Sequence, residues 1–299
     1  FALPGATPWR TITVGETLKP IVETTVPWDV VNPLYETKHD YRFGRGTWSW
    51  ILWQDGSINY DDQMRYIDFA AAMGYEYALI DNWWDTNIGR ERMKSLIDYA
   101  RGKGVELFLW YSSSGYWNDI EQGPINHMDN AIIRKREMKW LQSLGVKGIK
   151  VDFFGGDKQE TMRLYEEILS DADDHGLMVI FHGCTLPRGW SRTYPNLMSM
   201  EAVYGAEQYN NSPYMTMAAS RLNCTYPFTR NVVGSMDYTP VAFTDSQHPH
   251  RTTYAHELAL SVIFESGIQH WADRPEGFYQ LSDEIKSFMS TVPAAWDDT

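Results

Sequence analysis

Short apolar runs alternate with amphipathic helical stretches along most of this chain, and that alternation constrains the fold more than any other feature. The runs 46–52, 77–81, 105–111, 148–154, 177–183, 196–202, 232–238 and 269–273 read as strands. Between them, 61–73, 89–101, 131–144, 159–174, 212–221, 252–265 and 281–290 read as helices, several of them stopped by a glycine (Gly74, Gly102, Gly145, Gly176). Strands that alternate with helices imply a parallel sheet. A repeat of roughly 30 residues, sustained over about 250, favours an α/β fold closed as a (β/α)8 TIM barrel. A doubly wound open sheet is the rival, but it wants a glycine-rich turn after its first strand. Here Gly44-Arg45-Gly46 precedes that strand, and neither a GxGxxG fingerprint nor a P-loop is present.

Residues 1–40 lack any sustained period. Segments 11–15 and 21–26 look like short strands punctuated by Pro4, Pro8, Pro20, Pro27 and Pro33, so this stretch reads as a linker strapped to a neighbour. The expected organisation is a strap over 1–40 leading from an N-terminal domain outside this sequence, a barrel over 41–292, and at 293–299 the start of a link to a further domain.

Composition excludes some partners. The net charge is −13 with no basic run, which disfavours nucleic acid and anionic membrane surfaces. No stretch of about 20 apolar residues could span a bilayer. Cys184 and Cys224 form at most one bridge. Aromatic residues make up 14 % of the chain, enough to line a pocket for the apolar faces of sugars as well as to fill a core.

The stretch Lys147-Gly148-Ile149-Lys150-Val151-Asp152-Phe153-Phe154-Gly155-Gly156 carries the strongest local signal. Alternation puts Ile149, Val151 and Phe153 on one face and Lys150 with Asp152 on the other. Such a pair at a strand's carboxyl end is either a site or a buried ion pair that holds a loop. Barrel enzymes build their sites at that end. The other predicted strands end in Trp50, Asp81-Asn82-Trp83, Trp110-Tyr111, His182, Glu201, Asp237-Tyr238 and Trp271/Asp273. Aromatics and carboxylates in register at every strand end point to a functional rim.

The residue types narrow the chemistry. There is no nucleophile elbow with Ser-His-Asp order. Cys184 lies two residues from His182 in one predicted strand, without a reacting geometry. A zinc site lacks HExxH, and the histidines are scattered apart from His248-Pro249-His250. Paired carboxylates with aromatic walls are what glycoside hydrolysis requires: one attacks the anomeric carbon or activates water, the other protonates the leaving oxygen. Lys150 would help the first stay ionised. Glu201 and Glu207 are the candidate acids.

Residues 147–154, Phe181-His182-Gly183, Arg192-Thr193-Tyr194-Pro195-Asn196, the segment 201–207 and Gly234-Ser235-Met236-Asp237-Tyr238-Thr239-Pro240 together resemble glycoside hydrolase family 97. Ala6-Thr7-Pro8-Trp9-Arg10 and Pro293-Ala294-Ala295-Trp296 resemble segments that flank its barrel. The resemblance implies a β-sandwich before the barrel, a small β domain after it, and an extracytoplasmic bacterial enzyme. Two mechanistic kinds exist in the family. Inverting α-glucosidases use a glutamate just after the His of the fifth strand; retaining members, α-galactosidases among them, carry an aspartate nucleophile at the end of the fourth strand instead. Gly183 after His182, and Asp152, resemble the retaining kind. On this basis Asp152 is the expected nucleophile and Glu207 the general acid/base, roughly 5–6 Å apart. Glu201 and Glu207 are expected Ca2+ ligands, with another from the N-terminal domain. Trp50, Asp81, Trp110, Lys150 and His182 are expected to bind substrate. The expected activity is release of terminal α-linked galactose from an oligosaccharide or glycoside; an inverting α-glucosidase and a non-catalytic sugar-binding barrel are the alternatives.

Overall fold

The computed structural model describes residues 7, 9–115, 119–240, 243–245 and 247–296. Seven strands pair in parallel: β1 (Gly44–Trp48), β2 (Tyr77–Ile80), β3 (Glu106–Ser112), β4 (Gly148–Asp152), β5 (Met178–Phe181), β6 (Leu197–Met200) and β7 (Ile268–Trp271). Their order is β6-β5-β4-β3-β2-β1-β7: consecutive strands pair from β1 to β6, and β7 pairs back on β1, which curls the sheet round. Between β6 and β7 a single parallel bridge, Met200 to Met236, occupies the place of the remaining strand. The result is a (β/α)8 barrel with one irregular stave.

Alternation along each strand builds two apolar layers. Tyr77, Leu79, Phe108, Met178, Ile180, Met198 and Ile268 fill the barrel interior. Ala78, Ile80, Leu107, Leu109, Ile149, Val151, Val179 and Phe181 face outward into the larger cluster shared with the helices. Burying each large apolar side chain stabilises the fold by about 1.5–3 kcal/mol. Gly148 shows how tightly the interior is filled: a Cβ there would lie 2.2 Å from the Phe108 ring. Helix ends follow local chemistry. Asn59 caps Tyr60–Met73 by accepting the Asp62 N–H, and Gly74 ends that helix at φ 68°. Asn130 and Gly145 play the same parts for Ala131–Leu144.

The predicted stretches mostly appear as expected, with four corrections. Segments 11–15 and 21–26 are not strands; the N-terminal region instead forms single helical turns, Lys19–Val22 and Val26–Asp29, each with a proline near its start. The first strand sits earlier than 46–52, because Ser49 begins a turn and Trp50–Trp53 is helical. Residues 232–238 do not form a strand. Asn231–Val233 is instead a short 3-10 turn, and the segment meets β6 only at the bridge, where the Met200 N–H donates to the Ser235 carbonyl and the Asp237 N–H to the Met200 carbonyl. Phe153 does not continue the alternation of β4; it adopts φ 66° and its ring turns toward the rim. Cys184 and Cys224 are both unbridged. No helix among the described residues is long and apolar enough to cross a membrane.

Candidate active site

The carboxyl ends of the strands surround a cavity of about 730 Å3. Asp152, the last residue of β4, lies in its wall with Trp50, Asp81, Asn82, Trp110, Lys150, Glu201 and Glu207. The expected nucleophile, acid/base and most of the expected sugar contacts therefore share one space.

Asp152 is held from several sides. The Trp110 indole N–H donates to its Oδ2 at 3.2 Å, and the N–H of Phe153 donates to its Oδ1 at 2.7 Å. Lys150 Nζ stands 3.8 Å from Oδ2. That ammonium is 2 % exposed, donates to Asp81 Oδ2 at 2.9 Å and lies 3.9 Å from the centre of the Trp48 ring. Burial alone would favour neutral lysine, but the carboxylates of Asp81, Asp152 and Glu207 outweigh it and raise its pKa. Lys150 thus stays a cation beside the expected nucleophile. Asp81 also accepts from the Trp48 indole at 2.7 Å, which fixes its orientation.

Gly183 completes the surroundings of Asp152. It adopts φ 49°, and a Cβ on it would lie 2.8 Å from Asp152 Oδ1. A side chain at 183 and a carboxylate at 152 compete for the same volume. Its N–H donates to Glu201 Oε2 at 2.8 Å, so the bare backbone here links the two carboxylates.

Across the cavity, Glu207 lies on the short turn Ala206–Tyr209, docked by the Ala206 N–H on the Tyr238 carbonyl at 2.9 Å. Burial, then the negative charge of Glu201, push the Glu207 carboxyl well above the usual carboxylate range. That direction is the one a general acid needs.

His182 is placed differently from the sequence expectation. It does not line the cavity; it sits behind the wall, 1 % exposed, with Nε2 donating to Asp237 Oδ2 at 2.6 Å and Nδ1 3.7 Å from Glu201. Burial and Lys150 pull its pKa down, yet Glu201 and Asp237 prevail and lift it to about 9. Asp237 accepts from His270 as well, at 3.0 Å, and these imidazoles hold its carboxyl far below the ordinary range against the opposing effect of burial. Ligand atoms of His182, Glu201 and Glu207 lie within 4.8 Å of one another, the one such grouping among the described residues. The carboxylates supply hard oxygen donors at close quarters, which suits a cation such as Ca2+; the imidazole does not.

Sequence reasoning passed over Trp48, Phe153 and Gly183's contact with Asp152. Trp48 lies in a predicted strand and gave no sign that its indole reaches across to β2. Phe153 looked like a core residue because nothing in its side chain announces a positive φ.

The family model described as Glycoside hydrolase 97 matches residues 41–203. A probable retaining alpha-galactosidase of Streptomyces bingchenggensis is 36 % identical over 314 residues, covering 98 % of this chain and 45 % of that protein. A retaining alpha-galactosidase of Bacteroides thetaiotaomicron is 30 % identical over 321 residues, covering 98 % and 46 %. Among solved structures, a beta-arabinopyranosidase is 68 % identical with a TM-score of 0.97, covering all of this chain and 49 % of the other. The chain spans about half the length of the curated relatives it matches.

Proposed function

The chain belongs to glycoside hydrolase family 97, and from that premise we propose that it is the catalytic barrel of a retaining exo-glycosidase acting on a sugar of galacto configuration. Two glycones fit this description. The curated relatives are named for α-galactosides and the 68 % identical structure for a β-arabinopyranoside. In the L series that pentoside has the ring configuration of an α-D-galactoside and lacks only the hydroxymethyl group on C5.

The mechanism is a double displacement. An Asp152 carboxylate oxygen bonds to C1 as the C1–O bond to the leaving group breaks, and Glu207 delivers its proton to the departing oxygen. Water then attacks C1 of the glycosyl-enzyme, gives a proton to Glu207, and releases Asp152 with net retention. The Trp110 indole and Lys150 keep Asp152 aimed. Asp81 and Lys150 bond sugar hydroxyls, while Trp50 and Trp110 form apolar walls.

One observation carries the reading: Gly183 leaves room for Asp152, and a side chain there would strike the carboxylate at 2.8 Å. An inverting relative with a glutamate at this place could not seat Asp152 in the same way. Glu201 and Glu207 would hold the calcium ion that the family resemblance implies. Bound there, Ca2+ would supply positive charge against Glu201 and anchor the Glu207 turn. These residues offer fewer oxygens than the usual six to eight, so water or other segments would complete the shell. Residues 1–40 are proposed as a strap along the barrel, supported by the Trp28 indole donating to Ser191 and by Tyr35 stacked on Tyr194.

Proton NMR of the first sugar released tests the stereochemistry, with the substrate's anomeric configuration expected in the product. Asp152→Ala should abolish turnover, and azide should restore it with formation of the glycosyl azide of inverted configuration. Near-normal activity in Asp152→Ala, or an inverted first product from the unaltered enzyme, would refute the assignment.

A further inference from the structure

Asn82 follows Asp81 at the end of β2 and lines the same cavity. It is 4 % exposed. Its backbone is fully engaged: its own N–H donates to Asp81 Oδ1 at 2.8 Å, and the next residue, Trp83, adopts φ 63° with its N–H on the Gly123 carbonyl at 2.7 Å. The side chain is the opposite. Its Oδ1 is buried without a hydrogen-bond partner, and its Nδ2 makes no hydrogen bond among the described residues. A buried amide without partners is costly to fold, and a primary amide presents a donor and an acceptor whichever way it is turned. Pinned backbone and idle amide, at the wall of a substrate cavity, describe a group kept ready for a ligand.

The position says which part of the ligand. Lys150 bridges Asp81 and Asp152, with contacts of 2.9 and 3.8 Å. Asp152 is the group proposed to bond the anomeric carbon, and Asp81 and Asn82 line the cavity next to it, on the other side of that ammonium. We propose that Asn82 is a glycone-binding residue whose amide hydrogen bonds to a ring substituent of the sugar. This rests on the glycosidase reading above.

The idle amide makes the proposal separable from a structural role. Asn82→Leu replaces an unsatisfied polar group by an apolar one of similar volume, so the unfolding midpoint should hold or rise. Meanwhile kcat/KM should fall about tenfold or more, the effect of losing a hydrogen bond in a dry site. Asn82→Ala provides a second variant should leucine fit poorly. Both are assayed on aryl α-D-galactoside and aryl β-L-arabinopyranoside. Equal losses on the two identify a hydroxyl they share; a loss confined to the galactoside identifies the hydroxymethyl group. Either outcome supports the assignment. Activity within twofold of the unaltered protein on both substrates, in either variant, would overturn it, as would a marked drop in midpoint that tracks the loss of activity. Should the unaltered protein turn over neither glycoside, the enzymatic reading fails instead. Asn82 is then judged by titrating D-galactose and L-arabinose against tryptophan fluorescence, where a dissociation constant unchanged by Asn82→Ala would overturn the contact.

Discussion

Gly183→Ala is the substitution whose effect can be worked furthest from the coordinates. Two penalties are expected and they have different readouts. The first is backbone strain: an alanine at φ 49° costs about 1–2 kcal/mol, a few degrees in unfolding midpoint for a chain of this size. The second falls on the nucleophile. The new methyl would stand 2.8 Å from Asp152 Oδ1, where ordinary contact begins near 3.4 Å, so the carboxylate must retreat by about half an ångström. Misplacing a reacting group by 1 Å costs about a hundredfold in rate, so half of that displacement should cost about tenfold in kcat. Gly156→Ala is the matched control. Its φ is 78°, similarly strained, but nothing lies within 4 Å of the added carbon. Steady-state kinetics and thermal unfolding on both variants separate the penalties: kcat reduced only in Gly183→Ala, whose midpoint also falls further than that of Gly156→Ala because the new methyl meets the Phe153 backbone N at 2.8 Å. Equal kcat values in the two would show that Gly183 is required only by its backbone, and the exclusion of a side chain by Asp152 would lose its catalytic meaning.

Other outcomes follow from the same groups. Asp237→Asn removes the charge shared by His182 and His270 inside the barrel, and breaking such a buried pair should cost about 3–5 kcal/mol in denaturant unfolding; a loss below 1 kcal/mol would contradict that role. Calcium at 100 times its dissociation constant should raise stability by about 2.7 kcal/mol, and Glu201→Gln should remove most of that shift, read by calorimetry with and without chelator. Glu257, 1 % exposed with Oε2 lacking a partner, has its pKa raised by burial. The folded state therefore holds this proton to higher pH than the unfolded chain does. Its contribution to stability is greatest below the usual glutamate range and declines as pH rises through the raised value. Glu257→Gln should flatten that decline in unfolding experiments run between pH 4 and 8, and a profile parallel to the unaltered protein would refute it.

Much of this architecture was legible because its determinants are local. Runs such as Leu177-Met178-Val179-Ile180-Phe181 are too apolar for anything but a buried strand, and a glycine at 74, 145 or 176 marks where a helix must stop. The rim could be read because strand ends in a parallel barrel all point one way. What was not legible depends on side chains that act far from their own sequence neighbours. Arg230 ties the carbonyls of Met200, Gly234 and Ser235 together beside the short contact that stands where a strand was expected at 232–238. His182 was expected at the sugar because it follows a strand, yet its partner is Asp237, which becomes visible only when the barrel closes. Asn82 differs from any exposed asparagine only through burial and missing partners, neither of which a sequence records.

The charges around the cavity show why the residues work as a set rather than as separate sites. Asp81 and Asp152 share Lys150, and Asp237 sits between His182 and His270, so each of these carboxylates has a cation close by. Glu201 has only the Nδ1 side of His182, 3.7 Å away and shared with Asp237, and Glu207 makes no ion pair among the described residues. Two neighbouring carboxyls without a dedicated cation can stay together in a buried site by keeping a proton or by binding a metal ion. The first alternative gives Glu207 the proton that a leaving group needs; the second secures the turn on which Glu207 rides. The same charge imbalance thus favours both the acid and the ion proposed to stand beside it. Relieving it by Glu201→Gln should lower the Glu207 pKa in calcium-free protein and weaken the ion's hold when calcium is added, two effects that a merely structural pair would not link.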